Sequence, residues 1–125
     1  MKIFLSGGTH GDWQDRVKEV FAQEYFFDPR EAGKMKTMRE IAELERSWLD
    51  KSDIVFFYFE KSNPSGLGSA FEIGYCISKG IPVIMVDEKI TSHSEWLGVH
   101  CDKVCDSFDD GIIELRKWLY ENQKK

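Results

Sequence analysis

Three cysteines, three prolines and no long apolar run set the first limits on this 125-residue chain. Cys76, Cys101 and Cys105 are too few, and odd in number, for a disulfide framework, so a reducing cytoplasm is the expected compartment. They also lack the paired C-x-x-C spacing of a structural zinc site. Even with His93 and His100 nearby, they read as small buried thiols, and no metal is expected. No stretch approaches the ~20 apolar residues of a membrane span, and Met1-Lys2-Ile3-Phe4-Leu5 lacks a signal-peptide layout. A membrane is therefore not an expected partner. A basic excess is missing as well: 17 Lys plus Arg stand against 22 Asp plus Glu, a formal charge of −5. With no basic stripe to neutralise phosphates, polymeric nucleic acid is a poor partner, whereas a single nucleotide needs only a few local donors. Repeats, low-complexity stretches and Pro/Gly/Ser-rich linkers are absent, so residues 1–125 are expected to form one domain.

What is present is a hydrophobic fraction of 42% and an aromatic fraction of 14%, enough to build a core. Lys2 to Ser6 reads as a short apolar strand broken by Gly7-Gly8. Trp13, Val17, Val20 and Phe21 form a helical stripe, and Tyr25 to Phe27 a brief strand closed by Asp28-Pro29. Arg30 to Lys36 reads as a basic loop. Thr37 and Glu40 form a capping-box pattern that opens a helix to about Lys51. Asp53 to Phe59 is a nearly continuous apolar run, as in a strand covered on both faces. A helix over about Ser69 to Lys79 and a strand over Ile81 to Val86 follow. Residues 87–102 read as irregular, with a short turn near Ser94 to Leu97. Lys103 to Cys105 suits a last strand, and Ser107 caps a helix with the stripe Phe108, Ile112, Leu115 and Leu119. Strands alternating with helices imply right-handed crossovers, hence an α/β three-layer sandwich. The expected sheet is five-stranded, parallel and flavodoxin-like in order, 2-1-3-4-5, with its ligand beyond the carboxyl ends of the first and third strands.

Two loops fall there. Ser6-Gly7-Gly8 ends the first strand; Asn63-Pro-Ser-Gly-Leu-Gly-Ser-Ala-Phe-Glu72-Ile-Gly-Tyr follows the third. Gly66 and Gly68 allow close backbone approach, and the helix start behind them offers N–H groups to a phosphate or sugar hydroxyl. The segment is neither a P-loop nor a dinucleotide fingerprint, because the Lys and the third Gly are missing. Glu72 has two readings. Ser69-Ala-Phe-Glu72 is itself a capping box, in which the carboxylate serves the helix start. Alternatively, a carboxylate beside a glycine-rich loop at the ligand end of the sheet is a nucleophile or base. Glu45 is out of pattern: it shares a helix face with Ile41 and Trp48, where an apolar residue is expected. It lies eight residues before Asp53, roughly 12 Å along the helix toward the ligand end. It is either a rim glutamate reaching solvent or a second site carboxylate. Two carboxylates in one pocket suit chemistry at an anomeric carbon, one attacking C1′ and the other serving the leaving group.

The stretch from Trp48 to Glu88 resembles the nucleoside 2-deoxyribosyltransferase-like family, which includes the deoxynucleoside monophosphate N-glycosidases, most closely its short bacterial or phage members. Gly-Leu-Gly-Ser-Ala-Phe-Glu72-Ile-Gly-Tyr-Cys-Ile-Ser-Lys-Gly-Ile-Pro-Val-Ile carries the likeness; the opening strand to Gly7-Gly8, Phe27-Asp-Pro-Arg30 and Trp96 to Phe108 support it. The resemblance implies that Glu72 is the nucleophile and that Glu45 stands where the family holds an assisting aspartate. It implies that Ser65 and Ser69 are candidates for a 5′-phosphate, and that relatives of this size complete the site in a homodimer or larger homo-oligomer. Two positions depart from the pattern. Phe4 replaces a tyrosine that hydrogen-bonds the nucleophile, and Gly66 replaces an aspartate that transferases hold six residues before it.

The expected activity is cleavage or exchange of the nucleobase of a nucleoside or nucleoside 5′-monophosphate, with no cofactor. The rival is a non-catalytic nucleotide-binding or sensing module on the same fold. Substrate-binding candidates are Ser6, Gly7, Gly8, Ser65, Gly66, Gly68, Ser69 and, as a lid residue in the irregular segment, Trp96. His10 is a weaker candidate. Arg30, Lys34 and Lys36 read first as a solvated basic loop and second as a phosphate clamp, and Trp13 and Trp48 as core.

Overall fold

The computed structural model describes residues 1–35, 37–64 and 66–123. In chain order the elements are β1 (Lys2–Gly7), α1 (Trp13–Val20), β2 (Tyr25–Phe27), α2 (Pro29–Ala32), α3 (Met38–Lys51), β3 (Ile54–Phe59), α4 (Leu67–Lys79), β4 (Val83–Asp87), α5 (Ser92–Gly98), β5 (Lys103–Cys105) and α6 (Phe108–Gln123). The five strands are all parallel in the order β2-β1-β3-β4-β5. The expected flavodoxin-like α/β sandwich is what the chain forms.

The period-two alternation of the central strands divides the core in two. Ile3 and Leu5 of β1 join Ile54, Phe56 and Tyr58 of β3 on one face, where Trp13 and Val17 of α1 and Phe108, Leu115 and Leu119 of α6 cover them. Phe4 of β1 and Val55, Phe57 and Phe59 of β3 point the other way, against Leu49 of α3 and Ile73 and Cys76 of α4. Every residue of β3 is buried, which is why its sequence reads as an unbroken apolar run. Each buried phenylalanine of this strand contributes on the order of 2–3 kcal/mol by area removed from water.

Two local expectations are corrected. The loop at Arg30 to Lys36 begins inside a one-turn helix: Asp28 accepts a hydrogen bond from the Arg30 N–H at 3.0 Å, and Pro29 opens the turn. Lys36 lies outside the described residues. Within the supposedly irregular 87–102 segment, α5 runs over seven residues from a reciprocal Thr91–Ser94 cap, wider than a turn at Ser94 to Leu97. Both helices are too short to build a periodic apolar stripe, and Ser94 hides the cap by standing where Glu or Gln signals it. The expected Thr37 cap does form, accepting from the Glu40 N–H at 3.1 Å. No helix among the described residues is long and apolar enough to cross a membrane.

Candidate active site

Beyond the carboxyl ends of β1 and β3, where the strand order reverses, lies an open cavity of about 250 Å³. Gly7, Gly8, Thr9 and His10 form one wall, leaving β1. Asn63, Pro64 and Gly66 leave β3 and lead into Leu67, Gly68, Ser69 and Glu72 of α4. Pro29 of α2 and Glu45 of α3 close the remainder.

The two glycine turns have steric reasons. Gly7 has φ +145°, and a Cβ there would lie 2.5 Å from the Tyr58 carbonyl oxygen, so β1 approaches β3 with no room for a side chain. Gly66 has φ +73°, and a Cβ there would lie 2.7 Å from the Phe59 ring. At this position, where the resemblance leads one to expect an aspartate, a side chain would have to displace the Phe59 ring and hold a left-handed backbone. The left-handed Gly66 is also the N-cap of α4, which starts two residues earlier than the sequence suggested and has no side-chain cap. Ser69 is thus the third helical residue rather than the cap, and the capping-box reading of Glu72 fails. Glu72 lies instead in the second turn of α4, on its buried face with Ser69, Ile73 and Cys76.

There its carboxylate accepts a hydrogen bond at Oε1 from the Ser6 hydroxyl at 2.8 Å. Burial pushes the Glu72 carboxyl from 4.5 up to about 8; the Ser6 hydrogen bond opposes the rise, and the nearby charge of Glu45 adds to it. Burial alone raises Glu45. Two neighbouring carboxyls in one cleft, both raised by burial, form a coupled pair of the kind that acid–base and nucleophilic chemistry uses. The N-terminal turn of α4, a 13-residue helix, presents the positive end of its dipole to the same cavity.

Of the residues singled out from sequence, Glu72, Glu45, Gly7, Gly8, Gly66, Gly68 and Ser69 converge here. Ser6 is fully buried and stands behind Glu72 rather than on the cavity surface. Trp96 does not line this cavity: it lies on α5, 68% exposed, with its ring edge-on to His100 at 4.8 Å. Ser65 lies outside the described residues. Thr9, Pro29, Asn63, Pro64 and Leu67 also line the cavity without having been sequence candidates; Thr9 and Pro29 stand two residues after β1 and β2, and the other three run from the loop after β3 into the start of α4, which was the available signal. Arg30 is not a free cation, since it binds Asp28 at 2.6 Å and Asp15 at 2.7 Å. Trp13 is core, and Trp48 stacks on Phe27 at 5.6 Å. The three cysteines are free thiols, and among the described residues no three His, Cys, Asp or Glu side chains gather as a metal site.

A family model described as nucleoside 2-deoxyribosyltransferase like matches residues 1–90, which hold β1 to β4 and both carboxylates. The chain belongs to this family. The match ends before Trp96, so the likeness seen in Trp96 to Phe108 lies outside it. Among solved structures, a 2-deoxyribosyltransferase from the psychrotolerant bacterium Bacillus psychrosaccharolyticus aligns with a TM-score of 0.71. Identity is 17%, over 88% of this chain and 89% of that one, a similarity of fold. No curated protein matches. This nucleoside 2-deoxyribosyltransferase-like chain has a buried glutamate, Glu72, at the switch point, Phe4 in the core and Gly66 in a left-handed turn.

Proposed function

We propose that the protein is an N-glycosyl enzyme acting on nucleosides or nucleoside 5′-monophosphates, with Glu72 as nucleophile and Glu45 as its acid–base partner. The observation that carries this reading is a buried carboxylate, held by a hydroxyl and facing an open cavity beside a second carboxylate. In the productive microstate Glu72 is ionised and the pair's proton resides on Glu45. A Glu72 oxygen forms a bond to C1′ as the C1′–N bond breaks; the electron pair leaves on the base nitrogen, which takes its proton from Glu45. A second base, or water deprotonated by Glu45, then attacks C1′ and releases Glu72. The first outcome is exchange and the second hydrolysis.

The α4 N-terminus and Ser69 supply dipole and hydroxyl for polar groups of the sugar or a 5′-phosphate. The cavity is open to solvent, and exposed Leu67 and Phe71 of α4 adjoin it, which supports a homodimer that encloses the substrate. The test is incubation with deoxynucleosides, ribonucleosides and their 5′-monophosphates, with and without a free acceptor base, followed by chromatography of the bases. Base release by the native chain and none by Glu72→Gln is the expected result. Identical traces from both proteins across the panel would leave the binding-module reading in its place.

A further inference from the structure

β1 reads Ile-Phe-Leu-Ser from residue 3, and its last buried position is polar for no reason that packing supplies. A hydroxyl at 0% exposure is costly unless bonded, and an alanine would fill a strand position beside Phe57 as well. Period two puts Ser6 on the same face as Phe4, one step nearer the carboxyl end of the sheet. Phe4 packs in the apolar cluster with Ile73 and Cys76 and has no donor to offer. Ser6 meets the helix one turn earlier, at Glu72. Among the described residues this is the only hydrogen bond to the Glu72 carboxylate, and it comes from a side chain that does not line the cavity.

We infer that Ser6 is a positioning residue: its hydroxyl pins Oε1 of Glu72 from behind, so that the other oxygen is turned to the cavity and the ionised form is favoured. This rests on the reading of Glu72 as nucleophile. Ser6 acts through Glu72 and touches no substrate. Its donor can stabilise negative charge on the carboxylate, which otherwise has only burial and the Glu45 charge acting on it, both against ionisation. The titratable groups around Glu72 are Glu45 from α3, Cys76 one turn along α4, and His10 across the cavity; β1 and β3 present it only Ser6 and apolar side chains. Those groups are unchanged by a substitution at residue 6, so a difference between variants reports the hydroxyl.

The experiment titrates the Glu72 side-chain carboxyl by carbon NMR in native protein, Ser6→Ala and Ser6→Thr, assigning the signal with Glu72→Gln. Steady-state kinetics on the nucleoside substrate accompany it. In Ser6→Ala the Glu72 titration should move up by about one pH unit, the worth of one hydrogen bond to a charged group. kcat should fall about tenfold with KM unchanged, because the form with Glu72 ionised and the proton on Glu45 becomes about tenfold rarer while the cavity surface is untouched. Ser6→Thr keeps the hydroxyl and should restore both values toward native. A folded Ser6→Ala protein whose Glu72 titrates as in the native chain would overturn the inference, as would a native kcat in Ser6→Ala. If the titration moves but the native chain releases no base from any nucleoside, the positioning of Glu72 stands and the glycosyl-enzyme reading fails.

Discussion

Replacing Glu72 with Gln should destroy activity and stabilise the protein, and the gain should grow with pH. Gln keeps the size of the side chain and an oxygen to accept from Ser6, but it cannot ionise. In the native chain the Glu72 carboxyl has its ordinary value of 4.5 when unfolded and about 8 when folded, chiefly through burial. A folded-state value above the unfolded one means that the fold binds the proton more tightly. The stabilisation is therefore complete below about 4.5 and is lost as pH rises through 8. Each pH unit crossed between those values removes about 1.4 kcal/mol. The advantage of Glu72→Gln over native should thus widen by roughly 3–4 kcal/mol between pH 5 and pH 9. For a small domain with about 5–15 kcal/mol of total stability, that is a large fraction. Urea unfolding of both proteins followed by tryptophan fluorescence at pH 5, 7 and 9 gives the comparison. A stability difference that stays constant across that range would refute the claim that Glu72 is held protonated by its burial.

Further outcomes follow from the same geometry. Glu45→Gln removes the like charge beside Glu72 and the proposed proton donor, so base release should fall by about 10²–10⁴-fold while the Glu72 titration moves down. Gly66→Ala forces a Cβ into a left-handed turn against the Phe59 ring and should cost at least about 1–2 kcal/mol, read as a lowered Tm. Asp28 is buried, and its carboxyl is held below the usual range because hydrogen bonds from Arg30 and Lys18 outweigh the opposing effect of burial. Its stabilisation is present above 3.8 and is lost on acidification, so Asp28→Asn should flatten the acid limb of the stability–pH curve. Light scattering should give a homodimer that Phe71→Glu, placed on the exposed face of α4, converts to monomer without loss of helicity.

Much of this was legible in the sequence because the informative signals are local. The buried run of β3 and the Thr37 cap each arise within a few residues, and the sheet order follows from alternation with short connections. Glu45 showed itself by breaking an apolar face, and Glu72 by its place after a glycine turn. What escaped depended on three dimensions. The left-handed conformation of Gly66 moves the start of α4 and so cancels a capping box that spacing alone supports. The bond from Ser6 to Glu72 joins residues 66 positions apart, and no local pattern announces it. Arg30 read as part of a basic loop because its neutralising partners, Asp15 and Asp28, come from α1 and the end of β2.

The central claim is that Glu72 carries the sugar. Mixing the protein with a deoxynucleoside, quenching in acid and mapping its peptides by mass spectrometry addresses that directly. A glycosyl mass added to the peptide bearing Glu72, absent in Glu72→Gln and discharged by an acceptor base or by water, is the predicted result. Base release by the native chain with no adduct on any peptide, or release that persists in Glu72→Gln, would contradict it.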